Sequence, residues 1–189
     1  MCGLVTALLE GKLVNLRVME RDDIDFLVQG INDIDYDVAF LPVWQSSKAE
    51  VLRRFDSPTQ IALMCERQRF VMEKKDGTRI GTIAHWLAQP EGFLEIGYDI
   101  VRAERGKGYG TEAIQLMVDY LFLSKDVARI QAFTDVRNKA SQRVLEKAGF
   151  KREGTLRNAG FVRGHKSDAY VYGVLREEWK EPRILTRTT

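Results

Sequence analysis

The stretch Glu95–Glu112 reads EIGYDIVRAERGKGYGTE and decides the fold of this chain. As far as Ile100 it alternates apolar and polar residues, which is the pattern of a half-buried β-strand. Three glycines follow, and apolar residues then recur at helical spacing, so a glycine-rich turn leads from the strand into a helix. Such a turn points several backbone N–H groups at one place, where the helix dipole adds about half a positive charge. The stretch therefore predicts a binding site for phosphate groups.

The glycine spacing in this turn distinguishes between three phosphate-binding patterns. The dinucleotide-binding pattern Gly-x-Gly-x-x-Gly requires its third glycine at the position of Thr111. The ATP-binding P-loop requires a serine or threonine at the position of Gly108. A third pattern, Arg/Gln-x-x-Gly-x-Gly/Ala, fits at Arg105, Gly108 and Gly110. Turn glycines that bind no ligand are the alternative, and the strand before the turn and the amphipathic helix after it favour the phosphate site.

The rest of the chain supplies the strands and helices of one mixed α/β domain. Strands are predicted at about residues 13–18, 69–74, 79–86, 93–100, 129–134, 150–156 and 167–175. Helices are predicted to begin near residues 20, 47, 110 and 138, and the last of them ends at Gly149. We expect a single domain over residues 1–189, with a core at about residues 13–179 and a frayed tail over residues 180–189.

Composition excludes several classes of protein. The chain has 189 residues, of which 44% are hydrophobic and 30% charged, so it is not disordered or collagen-like. Its 29 basic and 27 acidic residues nearly balance, so we expect no nucleic-acid partner. Two cysteines and two histidines are too few for a disulfide framework or a zinc site, so we expect no metal. The cysteines are Cys2 and Cys65, and His85 and His165 are expected to be strand or surface residues. The N-terminal apolar stretch is shorter than the ~20 residues of a spanning helix, so we expect no membrane partner and a cytoplasmic location.

Two blocks of sequence carry a resemblance to a known family. Residues 95–113 and residues 138–150 resemble the GNAT superfamily of N-acetyltransferases, in the branch of the RimJ/RimL ribosomal-protein acetyltransferases. The resemblance covers about residues 13–179, and the two blocks stand in the family's order, separated by a helix and a strand. It implies an α/β fold with a mixed, mostly antiparallel central sheet and helices on both faces.

The resemblance also implies acetyl-coenzyme A (acetyl-CoA) as a co-substrate. In this family the end of the strand pairs with the pantetheine arm, which implicates Tyr98, Asp99 and Ile100, and an asparagine that matches Asn138 binds the same arm. An ordinary N-cap is the alternative for Asn138, and the two roles are compatible. The positions that match the family's pyrophosphate-binding turn are Arg105, Gly106, Lys107, Gly108, Tyr109, Gly110 and Thr111.

The implied reaction is attack of a neutral amine on the thioester, which calls for a base and an acid. Glu95 is the candidate base, because the family often carries a carboxylate there; an exposed or ion-paired glutamate is the alternative. Many family members use a tyrosine acid where this chain has Leu145, and Ser141 matches the serine that replaces it in the RimL-like branch. The alternatives for Ser141 are a residue that only hydrogen-bonds the sulfur and an ordinary residue of the first helical turn.

The acceptor is expected to be the N-terminal amine of a protein or peptide. An α-amino group with a pKa of about 7.7–8 is roughly a tenth neutral at pH 7, whereas a lysine amine is neutral at a few parts in ten thousand, so the former needs less catalytic assistance. A polyamine- or aminoglycoside-like amine is the alternative acceptor. A non-catalytic acyl-CoA-binding module is the alternative function, and a homodimer is left open. Asp33, Asp35 and Asp37 lie between the first two predicted helices, in the segment that borders the acceptor cleft in this family. A solvated acidic loop is the simpler interpretation of these residues, and attraction of a cationic amine is the alternative.

Overall fold

The computed structural model describes residues 9–33, 40, 45–56, 68–88 and 93–184. Cys2, Cys65, Asp35, Asp37 and residues 185–189 lie outside these ranges. The strands are β1 Leu9–Glu10, β2 Val14–Val18, β3 Gln68–Lys74, β4 Arg79–Ala88, β5 Phe93–Ile100, β6 Arg129–Asp135, β7 Lys151–Val162 and β8 His165–Leu175. The helices are α1 Ile24–Asn32, α2 Lys48–Asp56, α3 Tyr109–Ser124 and α4 Lys139–Ala148.

These strands form one open sheet in the order β1-β2-β3-β4-β5-β6-β8-β7. All neighbouring pairs in it are antiparallel except β5 and β6, which run parallel. The expected mixed, mostly antiparallel sheet is therefore confirmed, and the order of elements is the predicted one with the short strand β1 added. Strand β7 continues to Val162 because a turn at Arg163 and Gly164, both with positive φ (49° and 82°), folds it back onto β8.

Local sequence signals explain where the elements begin and end. The hairpin between β3 and β4 turns at Gly77, whose φ of 82° suits glycine, and Gly77 N donates to Lys74 O at 2.9 Å. Helix α2 is capped by Ser47, whose Oγ accepts a hydrogen bond of 3.1 Å from the N–H of Glu50. Helix α4 ends at Gly149, which adopts a left-handed φ of 101°.

The hydrophobic core lies between one face of the sheet and the helices α3 and α4. Val14 and Leu16 of β2 point into it, whereas Arg17 points to the opposite face and is covered there by Asp23, just before α1. Helices therefore lie on both faces of the sheet. The predicted apolar stripe of α3 is confirmed, since each of its five members is at most 5% exposed: Ile114, Met117, Val118, Leu121 and Phe122.

Two features differ from the sequence-based expectations. The segment after Trp179, for which we expect fraying, is held against α3 as far as Ile184: Asp119 Oδ2 accepts hydrogen bonds from the N–H groups of Arg183 and Ile184 at 2.9 and 2.8 Å. This tether depends on one buried carboxylate far away in the sequence, which local composition does not reveal. His85 is a strand residue as expected, but it is buried rather than exposed and lies beside Tyr120.

Candidate active site

A gap in the sheet separates β5 from β6. The two strands pair at two positions, Leu94 with Ile130 and Glu95 with Gln131. Beyond these positions β5 still pairs with β4 as far as Ile100, and β6 pairs with β8 along its whole length. The two halves of the sheet therefore part at the carboxyl ends of β5 and β6. An extended arm that carries amide groups can pair with a strand edge that borders such a gap.

The glycine-rich turn lies next to this gap, at the start of α3. Gly108 is the N-cap of α3 and Gly106 precedes it, with φ values of 89° and 78° that strain any other residue. The first hydrogen bond of the helix runs from Glu112 N to Gly108 O at 3.2 Å, so the preceding N–H groups point outward along the axis. A Cβ on Gly106 would meet no heavy atom of the described residues within 4 Å. The turn thus has the open, main-chain-lined surface that a diphosphate requires.

The two cationic side chains of the turn contact groups in the turn or just before it. Arg105 Nε donates a hydrogen bond of 2.9 Å to the carbonyl of Ile100, which ties the turn to the end of β5. Lys107 Nζ lies 2.9 Å from Glu104, and this hydrogen bond raises the pKa of the lysine. Both side chains therefore shape the turn, and half of the Lys107 side chain stays exposed towards solvent.

The start of α4 brings three of the predicted site residues together. The Asn138 side chain caps the helix by accepting a hydrogen bond of 3.0 Å from the N–H of Ser141. The Ser141 hydroxyl lies 3.0 Å from the hydroxyl of Tyr98 on β5. A Cβ on Gly110 would lie 3.5 Å from Val144 and 3.8 Å from the Tyr98 ring, so β5, α3 and α4 converge here.

Glu95 lies on the other face of β5, at the point where the sheet parts. Its carboxylate accepts a long hydrogen bond of 3.4 Å from Gln131 of β6. Burial raises the pKa of Glu95, and hydrogen bonds from Gln131 and Trp86 offset only part of that effect. Sequence reasoning did not find Gln131 or Trp86, because their contact with Glu95 exists only once the strands are aligned.

Asp99 shares that face, two residues beyond Gly97. Its carboxylate accepts a hydrogen bond of 2.5 Å from the hydroxyl of Thr82, which in turn accepts one of 2.8 Å from Arg69. A Cβ on Gly97 would lie 3.0 Å from the Trp86 ring, so the indole fills the space between the two carboxylates. The Glu95 carboxylate thus borders the gap on one face of the sheet, and the hydroxyls of Tyr98 and Ser141 lie on the other.

The remaining candidates stand apart from this arrangement. Leu145, which stands where the family resemblance implies a tyrosine in many members, is fully buried in the core, so the helix offers an apolar side chain there. Asp33 is exposed at the end of α1. Within the described ranges, no three His, Cys, Asp or Glu side chains cluster in a way that could hold a metal ion. None of the helices in that part of the chain is long and apolar enough to cross a membrane.

Comparisons with known proteins agree with this geometry. The family model described as Acetyltransferase (GNAT) domain matches residues 14–151. The uncharacterized N-acetyltransferase p20 of Bacillus licheniformis is 30% identical over 169 residues, which cover 88% of this chain and 94% of that protein. YdaF of Bacillus subtilis, which is named a ribosomal N-acetyltransferase, is 35% identical over 106 residues, or 56% of this chain and 58% of YdaF.

Solved structures share the fold. A spermidine N-acetyltransferase from Vibrio cholerae, crystallised in complex with CoA and spermine, superimposes with a TM-score of 0.76 at 23% identity and covers 88% of this chain and 98% of its own. The GNAT family uses acetyl-CoA as its acetyl donor. The parted sheet and the glycine-rich turn agree with the family match and with the similarity to p20. This chain therefore belongs to the GNAT acetyltransferase domain family and is an N-acetyltransferase.

Proposed function

We propose that this enzyme acetylates the N-terminal α-amine of a protein or peptide and that the reaction takes place in the gap between β5 and β6. The observation that supports the proposal is the placement of Glu95 on one face of that gap and of Ser141 on the other. An amine that enters beside Glu95 and a thiolate that departs towards Ser141 would lie on opposite sides of one carbonyl carbon. The relative YdaF, which is named a ribosomal N-acetyltransferase, supports a protein acceptor and the RimJ/RimL-like branch.

The residues around the gap fit acetyl-CoA. The N–H groups of residues 105–111 would hold the pyrophosphate, because glycines at 106 and 108 leave the main chain uncovered. The edge of β5 at Tyr98, Asp99 and Ile100 would pair with the pantetheine arm, and Asn138 would hold the same arm from α4. When bound, acetyl-CoA supplies a thioester as the electrophile, and this chain supplies its orientation.

Glu95 is the proposed base. Because burial raises its pKa, its carboxylate holds a proton more tightly than an exposed glutamate does. An α-amine needs only modest help, since about a tenth of it is neutral at pH 7. Glu95 therefore accepts the amine proton as the new C–N bond forms, while Gln131 keeps the carboxylate at the edge of the gap.

Ser141 is the proposed acid on the other face. It lies in the first turn of α4, where the helix dipole favours negative charge and so stabilises a departing thiolate. Its hydroxyl is held by Tyr98 and its N–H by Asn138. The charge that develops on sulfur therefore meets a fixed hydrogen-bond donor.

Small polyamines are the second acceptor class, and the Glu95 carboxylate on the acceptor face favours them, because a carboxylate attracts cations. Four acceptors separate the classes: a peptide with a free N-terminus, the same peptide with a blocked N-terminus and an internal lysine, spermidine, and an aminoglycoside. We expect thiol release from acetyl-CoA and an acetylated product with the first peptide. Transfer to spermidine alone would overturn the protein acceptor. Stabilisation by acetyl-CoA without transfer to any amine would identify a non-catalytic acyl-CoA-binding module.

A further inference from the structure

We infer that the side chain of Tyr98 is a positioning residue that orients the Ser141 hydroxyl and replaces its proton during acetyl transfer. The inference rests on the proposed function, which places the departing sulfur beside Ser141. It assigns to the Tyr98 phenol a role separate from the backbone pairing that its strand offers to the pantetheine arm.

The Tyr98 ring is held firmly by its surroundings. Its main chain pairs with Ile83 of β4, so the residue lies on a strand that is fixed on that side. The ring packs against the core, and a Cβ on Gly110 would lie only 3.8 Å from it. The strand and the core thus hold the ring in a fixed position beside the first turn of α4. Its hydroxyl lies 3.0 Å from Ser141 Oγ.

The hydrogen-bond capacity of Ser141 explains why this contact matters. A serine hydroxyl has one hydrogen and two acceptor lone pairs. When the Tyr98 O–H donates to Ser141 Oγ, the serine's own hydrogen is left to donate to a third group. The N–H of Ser141 is bonded to Asn138, which fixes the main chain from which that hydroxyl projects. Tyr98 therefore sets the direction of the Ser141 hydrogen.

The proton balance follows from ordinary acidities. A phenol has a pKa of about 10 and an alkyl thiol one of about 8.5, so transfer of a proton from phenol to thiolate is uphill by about 1.5 pKa units, a cost small enough for a fixed hydrogen bond to offset. As the C–S bond breaks, its electron pair stays on sulfur, the Ser141 hydrogen moves to sulfur, and the Tyr98 hydrogen moves to Ser141 Oγ. The phenolate left on Tyr98 lies near the positive end of α4 and recovers its proton from water before the next turnover.

Tyr98→Phe tests the inference, because it keeps the ring and the strand and removes only the hydroxyl. We expect kcat for acetyl transfer to fall about 10²-fold, the size of an acid–base contribution, while KM for acetyl-CoA stays within about twofold. Tyr120→Phe is the matched control: its hydroxyl also donates to a side chain, Gln68, at 3.3 Å, but it lies on α3 away from the gap. The control should keep the wild-type kcat.

A double-mutant cycle with Ser141→Ala separates a joint role from two independent ones. If Tyr98 acts through Ser141, the double variant loses no more kcat than the worse single variant. Losses that multiply, a wild-type kcat in Tyr98→Phe, or a change confined to KM would each overturn the inference.

A second replacement covers the case in which Tyr98→Phe does not fold. Exchange of Tyr98 for 3-fluorotyrosine keeps the hydroxyl and the shape but makes the phenol more acidic. A changed kcat supports proton supply, and an unchanged one contradicts it. The wild-type assay keeps the two proposals apart, because failure to acetylate any amine overturns the proposed function and the inference with it. If the wild-type enzyme is active and Tyr98→Phe has the same kcat, the inference is overturned and the proposed function is not.

Discussion

Glu112 Oε2 lies 2.6 Å from the backbone nitrogen of Leu13, and the Glu112 carboxylate also accepts hydrogen bonds of 2.8 Å from the N–H groups of Lys12 and Val14. Glu112 belongs to the first turn of α3, whereas two of the N–H groups belong to the turn between β1 and β2 and the third belongs to the first residue of β2. Leu13 in turn lies 3.5 Å from where a Cβ of Gly108 would be. One carboxylate therefore fastens the N-terminal hairpin to the candidate phosphate-binding turn.

Glu112→Gln should weaken both the fold and the turn. A glutamine presents an NH2 group to donors that a carboxylate satisfies, so we expect the free energy of unfolding to fall by about 1–3 kcal/mol, measured by urea denaturation. Stabilisation by acetyl-CoA should decrease as well, because the turn loses support. Glu50→Gln, a first-turn glutamate of α2, should change stability by about 0.5 kcal/mol or less. Equal losses in the two variants would contradict the anchoring role.

Gly106→Ala should impair ligand binding beyond its cost to the fold. Gly106 and Gly77 have φ values of 78° and 82°, and an added Cβ meets nothing within 4 Å at either position. Both alanine variants should therefore lose a similar stability of about 1–2 kcal/mol. Acetyl-CoA should stabilise Gly77→Ala as it stabilises the wild type, but it should stabilise Gly106→Ala less, because the Cβ takes up pyrophosphate space. Equal ligand responses would remove Gly106 from the binding site.

Glu95→Gln should exchange activity for stability. Without a base on the acceptor face, kcat/KM should drop by about 10²–10⁴-fold. Burial raises the pKa of Glu95 above its unfolded value of 4.5, so the folded state binds the proton more tightly, and the carboxylate costs stability as the pH rises through that range. The glutamine variant should therefore be more stable than the wild type at pH 7 and equally stable near pH 4, as judged by thermal denaturation. A variant with wild-type activity would contradict the base assignment.

Asp23→Asn should be strongly destabilising. Arg17 is 7% exposed and Asp23 is 1% exposed, and the guanidinium donates to the carboxylate at 2.8 and 3.0 Å. Among the described residues, the buried guanidinium pairs with two carboxylates, Asp23 and Glu73, the latter at 2.6 Å, and the substitution removes one of these charges, so we expect a loss of about 3–5 kcal/mol. The exposed pair of Arg21 and Asp56 gives the control, because Asp56→Asn should cost no more than about 1 kcal/mol.

The same variant has a defined pH dependence. Burial pushes the pKa of Asp23 upward, but the hydrogen bonds from Arg17 and from the N–H of Glu20 outweigh it, so the pKa is lowered from 3.8. Stability from a lowered carboxyl pKa is present above 3.8 and is lost as the pH falls through the folded value. The difference in free energy of unfolding between the wild type and Asp23→Asn should therefore be largest near pH 7 and should decrease below about pH 4. A constant difference over that range would contradict the assignment.

Much of the fold follows from signals that lie close together in the sequence. Local signals predict the strands on either side of Gly77, the helix starts near residues 47 and 138 and the end of α4 at Gly149, and the structure has each of them there. The apolar stripe of α3 follows equally from its spacing. Such features can be predicted because their energetics are local.

The contacts that build the site are not local, and the sequence does not reveal them. Tyr98 and Ser141 are 43 residues apart, and Glu112 and Leu13 are 99 apart. The sequence pattern places Tyr98 on the apolar face of its strand, where packing is the simplest role for a tyrosine. Only the approach of α4 to β5 turns its hydroxyl into a partner for serine. The burial that raises the pKa of Glu95 likewise depends on the aligned strands.

The gap between β5 and β6 also has a consequence for the stability of the folded enzyme. Two residue pairs join the halves of the sheet there, so a boundary with little backbone pairing runs through the proposed reaction centre. In the proposed binding mode, acetyl-CoA contacts both sides of that boundary. At one hundred times its dissociation constant it would add about 2.7 kcal/mol to the free energy of unfolding. The free energy of unfolding of the enzyme would then depend on the concentration of its own acetyl donor.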